Sequence, residues 1–528
     1  MTRRREIPAP REHKEAHGGS SRLGLCLANS NFELPAGAYD FPCHSLAKVH
    51  LRYFTQLMIS ASRCLLSSFP TLVLLGISAH AAALSPDQQQ CLAKGHRFER
   101  QGWIYLHLEG EPRERGFQHG YLLATEIADD LRTTRISWEY SSAMPWSWLV
   151  DRAAVMFTPR LDAETQTEMD GMAEGMRAAG HPTTRNELVT YNGIIELSGY
   201  WWPTELKKIK ESGRPALRQS CSAFIATGSL TRDGNIVLGH NTMMEYNDAL
   251  PNVIADIRPA RGHRILWQTQ PGWIHSGTDF FVTDAGLVGS ETTIGEFEGF
   301  ETNGVPEFVR MRHATQDANS IEQWCEIMRR SNNGGYANAW LLGDINTREI
   351  ARLELGLKEV GFEKKRDGFF TGSNVAEDLK ILRFETSSKE TDIRSSGVAR
   401  RVRWSELMKR NAGRIDLALA KRFEADHFDS YLGRNEPDGR TLCGHYELGK
   451  EPAGSWPGVP FGCAGTVDAK VLDAAMARAM GFAARWGSAC GRPFDARRYL
   501  SAHPQFDWMK DILKSRPSEP WTQFWAGE

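Results

Sequence analysis

From residue 221 onward the chain is written as pairs of short apolar runs joined by turn residues, and this pattern narrows the fold more than any other feature. SAFIATGSL and NIVLGHN flank TRDG, NVIADIRP and RILWQTQ flank ARGH, FFVT and LVGSETT flank DAG, and NAWLLGD and IARLELG flank INTRE. Runs of this length bounded by Gly, Asp and Asn read as β-hairpins. Helical stretches lie among them: PEFVRMRHATQ, then SIEQWCEIMRR with Ser320 and Gln323 spaced as a capping box. Antiparallel meanders alternating with helix pairs predict an α+β layered fold and argue against a parallel doubly wound sheet. The tail from about residue 398 reads as mostly helical, with VDAKVLDAAMARAM the clearest stretch.

Upstream the character differs. After a short strand, WIYLHLEG, residues 95 to 210 carry apolar side chains at helical spacing, and Thr184 with Glu187 forms a capping box ahead of LVTYNGIIEL. ESGRP, residues 211–215, reads as an exposed linker. Cys221 therefore stands on the border between a loop and a strand. The nearly neutral net charge of −2 gives no electrostatic footprint for nucleic acid.

The most apolar segment, residues 59–83, is too short and interrupted for a membrane-spanning helix, which needs about 20 apolar residues. Arg63 precedes its core, and it ends in Ala79-His80-Ala81, an A-x-A cleavage pattern. It reads as a secretory signal peptide over 58–81 starting at Met58, with residues 1–57 an over-called or disordered extension. The expected location is secreted or periplasmic. Six of the nine cysteines remain beyond that segment, and Cys443, Cys463 and Cys490 are candidates for a disulfide. No C-x-x-C or H-E-x-x-H spacing occurs, so neither metal nor organic cofactor is expected.

No G-x-S-x-G, G-x-x-x-x-G-K-[ST] or G-x-G-x-x-G sequence occurs either. What remains is Cys221. Breaking the Ser220–Cys221 bond would give that residue both a thiol and a free α-amine, whose reference pKa near 8 lets it accept the thiol proton. The thiol can make the cut itself by attacking the Ser220 carbonyl. A half-buried strand cysteine is the plainer alternative.

CSAF, followed nineteen residues after its cysteine by His240, Asn241 and Thr242, resembles the phospholipase B-like family of N-terminal-nucleophile (Ntn) hydrolases. It is also similar to the autoproteolytic acyltransferase/hydrolase family typified by isopenicillin-N acyltransferase. LEGEPRERGFQHGYLLATEI, WIHSGTDFFVTDAGLVGSETTI, NAWLLGD and TGSN resemble further family blocks. The resemblance implies an αββα sandwich of antiparallel sheets behind a mainly helical N-terminal segment. It implies self-cleavage into 82–220 and 221–528, two chains that stay associated. Cys221 would be nucleophile and, with Ser220, the cleavage site. Asn338 would hold the oxyanion. His240 and Asn241 are equal candidates to face the nucleophile, Thr293 could add a hydroxyl, and Arg400 could support the thiolate, with Arg401 and Arg403 as neighbours. The relatives' Asp after the Asn is Thr242-Met243 here, which leaves open what orients the α-amine.

The function expected from this is an exported cysteine Ntn hydrolase cleaving an amide through a thioester, with acyl transfer as an extension. A lipid deacylase acting on esters is the alternative, and a catalytically silent secreted binding protein the other. The partners expected are a small-molecule or lipid acyl substrate and no nucleic acid; a homo-oligomer is left open.

Overall fold

Strands alternate their side chains between two faces, and both faces of the central strands here are buried. The computed structural model describes residues 83–209, 220–248, 252–455 and 458–528. The expected signal segment, the extension before it and the ESGRP linker lie outside the described residues.

In chain order the strands are β1 (His96–Arg100), β2 (Trp103–Gly110), β3 (Ser220–Thr227), β4 (Val237–Glu245), β5 (Val253–Pro259) and β6 (Ile265–Thr269). Next come β7 (Phe281–Thr283), β8 (Leu287–Thr293), β9 (Asn338–Asp344), β10 (Glu349–Leu355), β11 (Val360–Lys365) and β12 (Gly368–Gly372). A small ribbon of β13 (Phe428–Asp429) and β14 (Arg434–Asn435) precedes β15 (Ala464–Asp473), β16 (Gly481–Trp486) and β17 (Thr522–Trp525). One sheet has nine strands in the order β1-β2-β5-β6-β7-β8-β9-β10-β11, and the second has six, β12-β3-β4-β15-β16-β17.

The two sheets face each other. Ala223 and Ile225 of β3 meet Ile254, Leu266, Val288 and Leu341 of the larger sheet in one apolar layer. The alternate residues Phe224 and Ala226 point outward to Trp404, Leu407 and Phe423 on the helices Ser396–Arg410 and Leu417–Glu424. On the far side of the larger sheet, Trp267, Phe281 and Leu342 pack on Met169, Met172, Phe308 and Trp324 from three further helices. The layer order is αββα, the sandwich implied by the resemblance.

The four hairpins read from turn residues all form, as β3–β4, β5–β6, β7–β8 and β9–β10. The Thr184–Glu187 capping box is complete, whereas only half of the second is made. Ser320 accepts from the Gln323 amide, but Gln323 Oε1 takes the Asn319 amide at 2.8 Å. The reading of the tail from about residue 398 as mostly helical is overturned: past Glu424 its helices are short, and β13 to β17 lie among them. VDAKVLD is not helical but lies within β15, between β4 and β16, and only Ala474–Arg478 after it is a helix. Val471 packs on the outer helix layer while Leu472 faces the other sheet, so a strand buried on both faces shows no polar alternation to separate it from a helix. The six cysteines of the described residues are all free, so no disulfide joins Cys443, Cys463 or Cys490.

The segment before Cys221 is mainly helical, yet it also supplies β1 and β2, and β2 pairs in parallel with β5. Its helices Pro112–Leu122 and Ala163–Ala178 cross at glycines. A Cβ on Gly116 would overlap the Glu168 carbonyl oxygen, and one on Gly120 that of Met172; Gly171 and Gly175 face Arg113 and Phe117 in the same way. Arg115 locks the crossing from inside, donating to Glu168 Oε2 at 2.7 Å, Glu164 Oε1 at 3.0 Å and the Gly110 carbonyl at 2.8 Å. Because backbone must move to admit a methyl group, Gly120→Ala is expected to destabilise by about 3 kcal/mol, the upper end for overpacking. Denaturant unfolding measures it.

Candidate active site

The register of β3 against β4 decides which side chains meet. Cys221 lies opposite Thr242 and Ala223 opposite His240, so these four share the face turned toward the other sheet. Ser222 lies opposite Asn241 on the outward face. There Trp404 Nε1 donates to Ser222 Oγ at 2.9 Å, and Asn241 Nδ2 donates to the carbonyls of Glu424 and Leu442, each at 2.8 Å. Of the two neighbours weighed equally from sequence, His240 faces Cys221 and Asn241 faces away. The strand's two-residue period allows only one of them inward.

Cys221 is fully buried. Its thiol is 3.6 Å from Glu291 Oε1 on β8, and Sγ, a ring nitrogen of His240 and a carboxylate oxygen of Glu291 all lie within 4.8 Å of one another. Tyr336 O–H donates to Glu291 Oε1 at 2.9 Å, and Thr293 O–H donates to the Tyr336 oxygen at 3.1 Å. The Asn338 amide, oriented with its nitrogen inward, donates to Glu291 Oε2 and to the Ala337 carbonyl, each at 3.0 Å. Thr293 and Asn338 are register partners on β8 and β9.

Arg400 closes the arrangement from the outer helix. It is buried, and donates from Nη1 to the Cys221 carbonyl at 2.6 Å, from Nη2 to Asn374 Oδ1 at 2.7 Å and from Nε to Ser396 Oγ at 3.1 Å. Asn374, in a left-handed conformation with φ +68°, passes the link on by donating to the Thr293 carbonyl at 2.7 Å. The neighbouring arginines serve elsewhere, Arg401 on Glu377 and Arg403 on Asp426. Cys221, His240, Thr293, Asn338 and Arg400 are thus brought together, and Asn241 is not. His275 stacks on Trp273 at 4.6 Å and lies 3.7 Å from Glu307.

Glu291, Tyr336 and Asn374 escape the sequence reading. Glu291 left a signal, a carboxylate within LVGSETT, a run otherwise fit for a buried strand; Tyr336 left none beyond its place beside NAWLLGD, and Asn374 none beyond its place within TGSN.

The surroundings of the thiol disfavour charge. Burial, with the Glu291 carboxyl beside it, pushes the Cys221 thiol well above its ordinary value. Burial and the nearby Asp279 raise the Glu291 carboxyl strongly. Burial and Lys470 push His240 well below the usual imidazole range. Burial thus disfavours the charged form of the thiol, the acid and the imidazole alike. The charges nearby belong to Lys470 and Asp468, fully buried partners on β15 that both contact Thr242.

Comparison with known proteins bears on this site. Residues 163–357 match the family model described as Phospholipase B. Phospholipase B-like protein B of Dictyostelium discoideum is 34% identical over 204 residues, 34% of this chain and 35% of that one. Phospholipase B-like protein C of the same organism is 29% identical over 142 residues, 24% and 25% of the two chains. The chain thus spans between about a quarter and two fifths of the length of the curated relatives it matches. Among solved structures, a conjugated bile acid hydrolase from Clostridium perfringens overlays with a TM-score of 0.28 and 10% identity, covering 50% of this chain and 88% of that one.

Near Glu291 lies a set of buried carboxyls. Burial raises Glu196 and Asp279 each to about 7 and lifts Glu307 strongly, with Arg310 the buried cation near all three. Unfolded, these acids lose their protons near pH 4; folded, Glu196 and Asp279 keep them to about neutrality. The folded state therefore binds more protons, and stability falls as pH rises through that window. Buried His119, lowered to about 4, acts with the opposite sign, but its contribution is complete above its ordinary value of 6.5. The thermal midpoint is expected to fall between about pH 6.5 and about pH 8, read by calorimetry in buffers of matched ionic strength.

Proposed function

We propose that this chain, kin to the phospholipase B-like proteins through residues 163–357, is an exported self-processing hydrolase whose nucleophile is the thiol of Cys221. The observation that carries this reading is the fixing of Cys221 at the head of β3. Its carbonyl is held by Arg400 and its thiol is hydrogen-bonded to Glu291.

In the uncut chain Sγ attacks the Ser220 carbonyl carbon. Glu291, whose protonated form burial favours, accepts the thiol proton on one oxygen and releases its own to the departing Cys221 nitrogen. The C–N bond breaks, a thioester joins Ser220 to Sγ, and water hydrolyses it, leaving a carboxylate at Ser220 and restoring the thiol. Cys221 then carries a free α-amine. In turnover that amine takes the thiol proton as Sγ attacks the substrate's acyl carbon, and returns it to the leaving group. Water, or another amine, releases the acyl group. Asn338, on giving up its bond to Glu291 Oε2, supplies an N–H for the tetrahedral oxyanion. His240 lines the pocket as a neutral imidazole beside the thiol. Thr293 orients Tyr336, which in turn fixes Glu291.

The substrate is an acyl amide. The relatives' name favours a second reading, deacylation of a lipid ester, and release of fatty acid from lysophospholipid against release from an N-acyl amino acid separates the two. A catalytically silent binder is disfavoured by the intact group of Cys221, Glu291, Asn338 and Arg400 around one thiol. Export rests on the signal-like segment over 58–81; among the described residues no helix is long and apolar enough to cross a membrane.

Intact mass under denaturing conditions tests the reading. The protein should yield two chains, the larger beginning at Cys221, while Cys221→Ala stays uncut. A wild-type protein that remains one chain at the pH where it is stable removes the proposal's basis. Glu291→Gln is expected to slow the cut by about 100-fold, within the range for a lost proton-transfer group, measured as the half-time of processing. Asn338→Ala should lower turnover of any processed enzyme by about 100-fold or more, as for a lost oxyanion donor.

A further inference from the structure

Four side chains that the proposed chemistry does not use converge behind the six-stranded sheet. His427 follows the helix Leu417–Glu424, Cys443 and His445 sit on the loop after β14, and Cys490 on the loop after β16. One donor atom from each lies within 4.8 Å of every other. His427 Nε2 and His445 Nε2 are 3.3 Å apart, and Cys490 Sγ is 3.4 Å from His445 Nε2.

We propose that these four residues bind one zinc ion in a closed Cys2His2 site. A tetrahedral zinc with bonds of about 2.3 Å to sulfur and 2.0–2.1 Å to nitrogen places neighbouring ligand atoms about 3.3 to 3.8 Å apart. The separations of 3.3 and 3.4 Å fall in that range. The surroundings select the same tautomer that a metal needs. Glu447 Oε1 lies 3.0 Å from His445 Nδ1; a proton held on Nδ1 by that carboxylate would leave the Nε2 lone pair facing the other donors. A carboxylate behind a ligating imidazole is the usual outer support of a zinc site. Cys443 and His445 are buried, while Cys490 and His427 are half-buried, which leaves a route for the ion to enter.

Binding converts the two thiols to thiolates and releases two protons, with no change of oxidation state. Four protein ligands leave no open position, so the ion is structural. Its effect reaches β4 through the chain itself: Leu442, beside the ligand Cys443, has its carbonyl held by Asn241, and the Cys443 amide donates to the Asp426 carbonyl at 3.1 Å. The ion would fasten the loops around 427, 443 and 490 onto the strand that pairs with the nucleophile's. No sequence motif announces it, because its ligands are separated by 16, 2 and 45 residues in a pattern set only by the fold.

The test is zinc content of full-length protein purified without chelator, measured by plasma mass spectrometry, together with its intact mass. One zinc per protein, lost in Cys490→Ser and in His427→Ala, is the expected result. Stripped wild-type protein, used in case the variants fold poorly, should take up one cobalt(II) and show thiolate-to-metal charge transfer with tetrahedral ligand-field bands. Zinc unchanged in both variants would overturn the proposal. So would metal-free protein lighter by the mass of two hydrogens, with a Cys443–Cys490 disulfide, or cobalt bound without thiolate bands.

Discussion

The site depends on one buried guanidinium. Arg400 gives its donors to three neutral acceptors that belong to different parts of the fold: the Cys221 carbonyl on β3, the Asn374 side chain after β12, and Ser396 on its own helix. Asn374 then holds the end of β8 through the Thr293 carbonyl. The outer helix, the smaller sheet and the larger sheet are thereby fixed to one another within a few ångströms of the thiol. A lysine could not do this, since a point charge on a flexible stem lacks the planar fork that reaches three acceptors at once.

Neutrality is the second property that matters. Thiol, acid and imidazole all sit where burial suppresses charge, and the one ion pair nearby satisfies itself with Thr242. On the proposed reaction, cutting the chain would introduce an amine into that environment, beside a carboxyl that is reluctant to ionise alone and more willing next to a cation. The processed site would then be polarised in a way the precursor is not.

How far the sequence could be read follows physical lines. Hairpins announce themselves through turn chemistry, and all four were legible for that reason. β15 was not, because a strand covered on both faces loses the polar alternation that marks it, and its run into a short helix capped by Asp473 continues the apolar pattern. At the site, Cys221, Thr293, Asn338 and Arg400 could be placed through resemblance, but sequence could not choose between His240 and Asn241, since adjacent strand residues differ only in the face they take. Register settled that. Glu291 was missed because a carboxylate in a strand looks like a solvent-facing residue until the second sheet is laid over it.

The parallel pairing of β2 with β5 has a consequence for the life history of the molecule. β1 and β2 precede Cys221, while their neighbours in the nine-stranded sheet follow it. A backbone cut at Cys221 would leave two polypeptides laced through one sheet, so they could part only by unfolding. Folding begins as a reaction within a single chain, but re-formation would require two chains to find each other, and it would then depend on concentration. The processed protein would be held by the height of its unfolding barrier rather than by an equilibrium it can revisit. Such a molecule is assembled once, and its durability is a matter of rate.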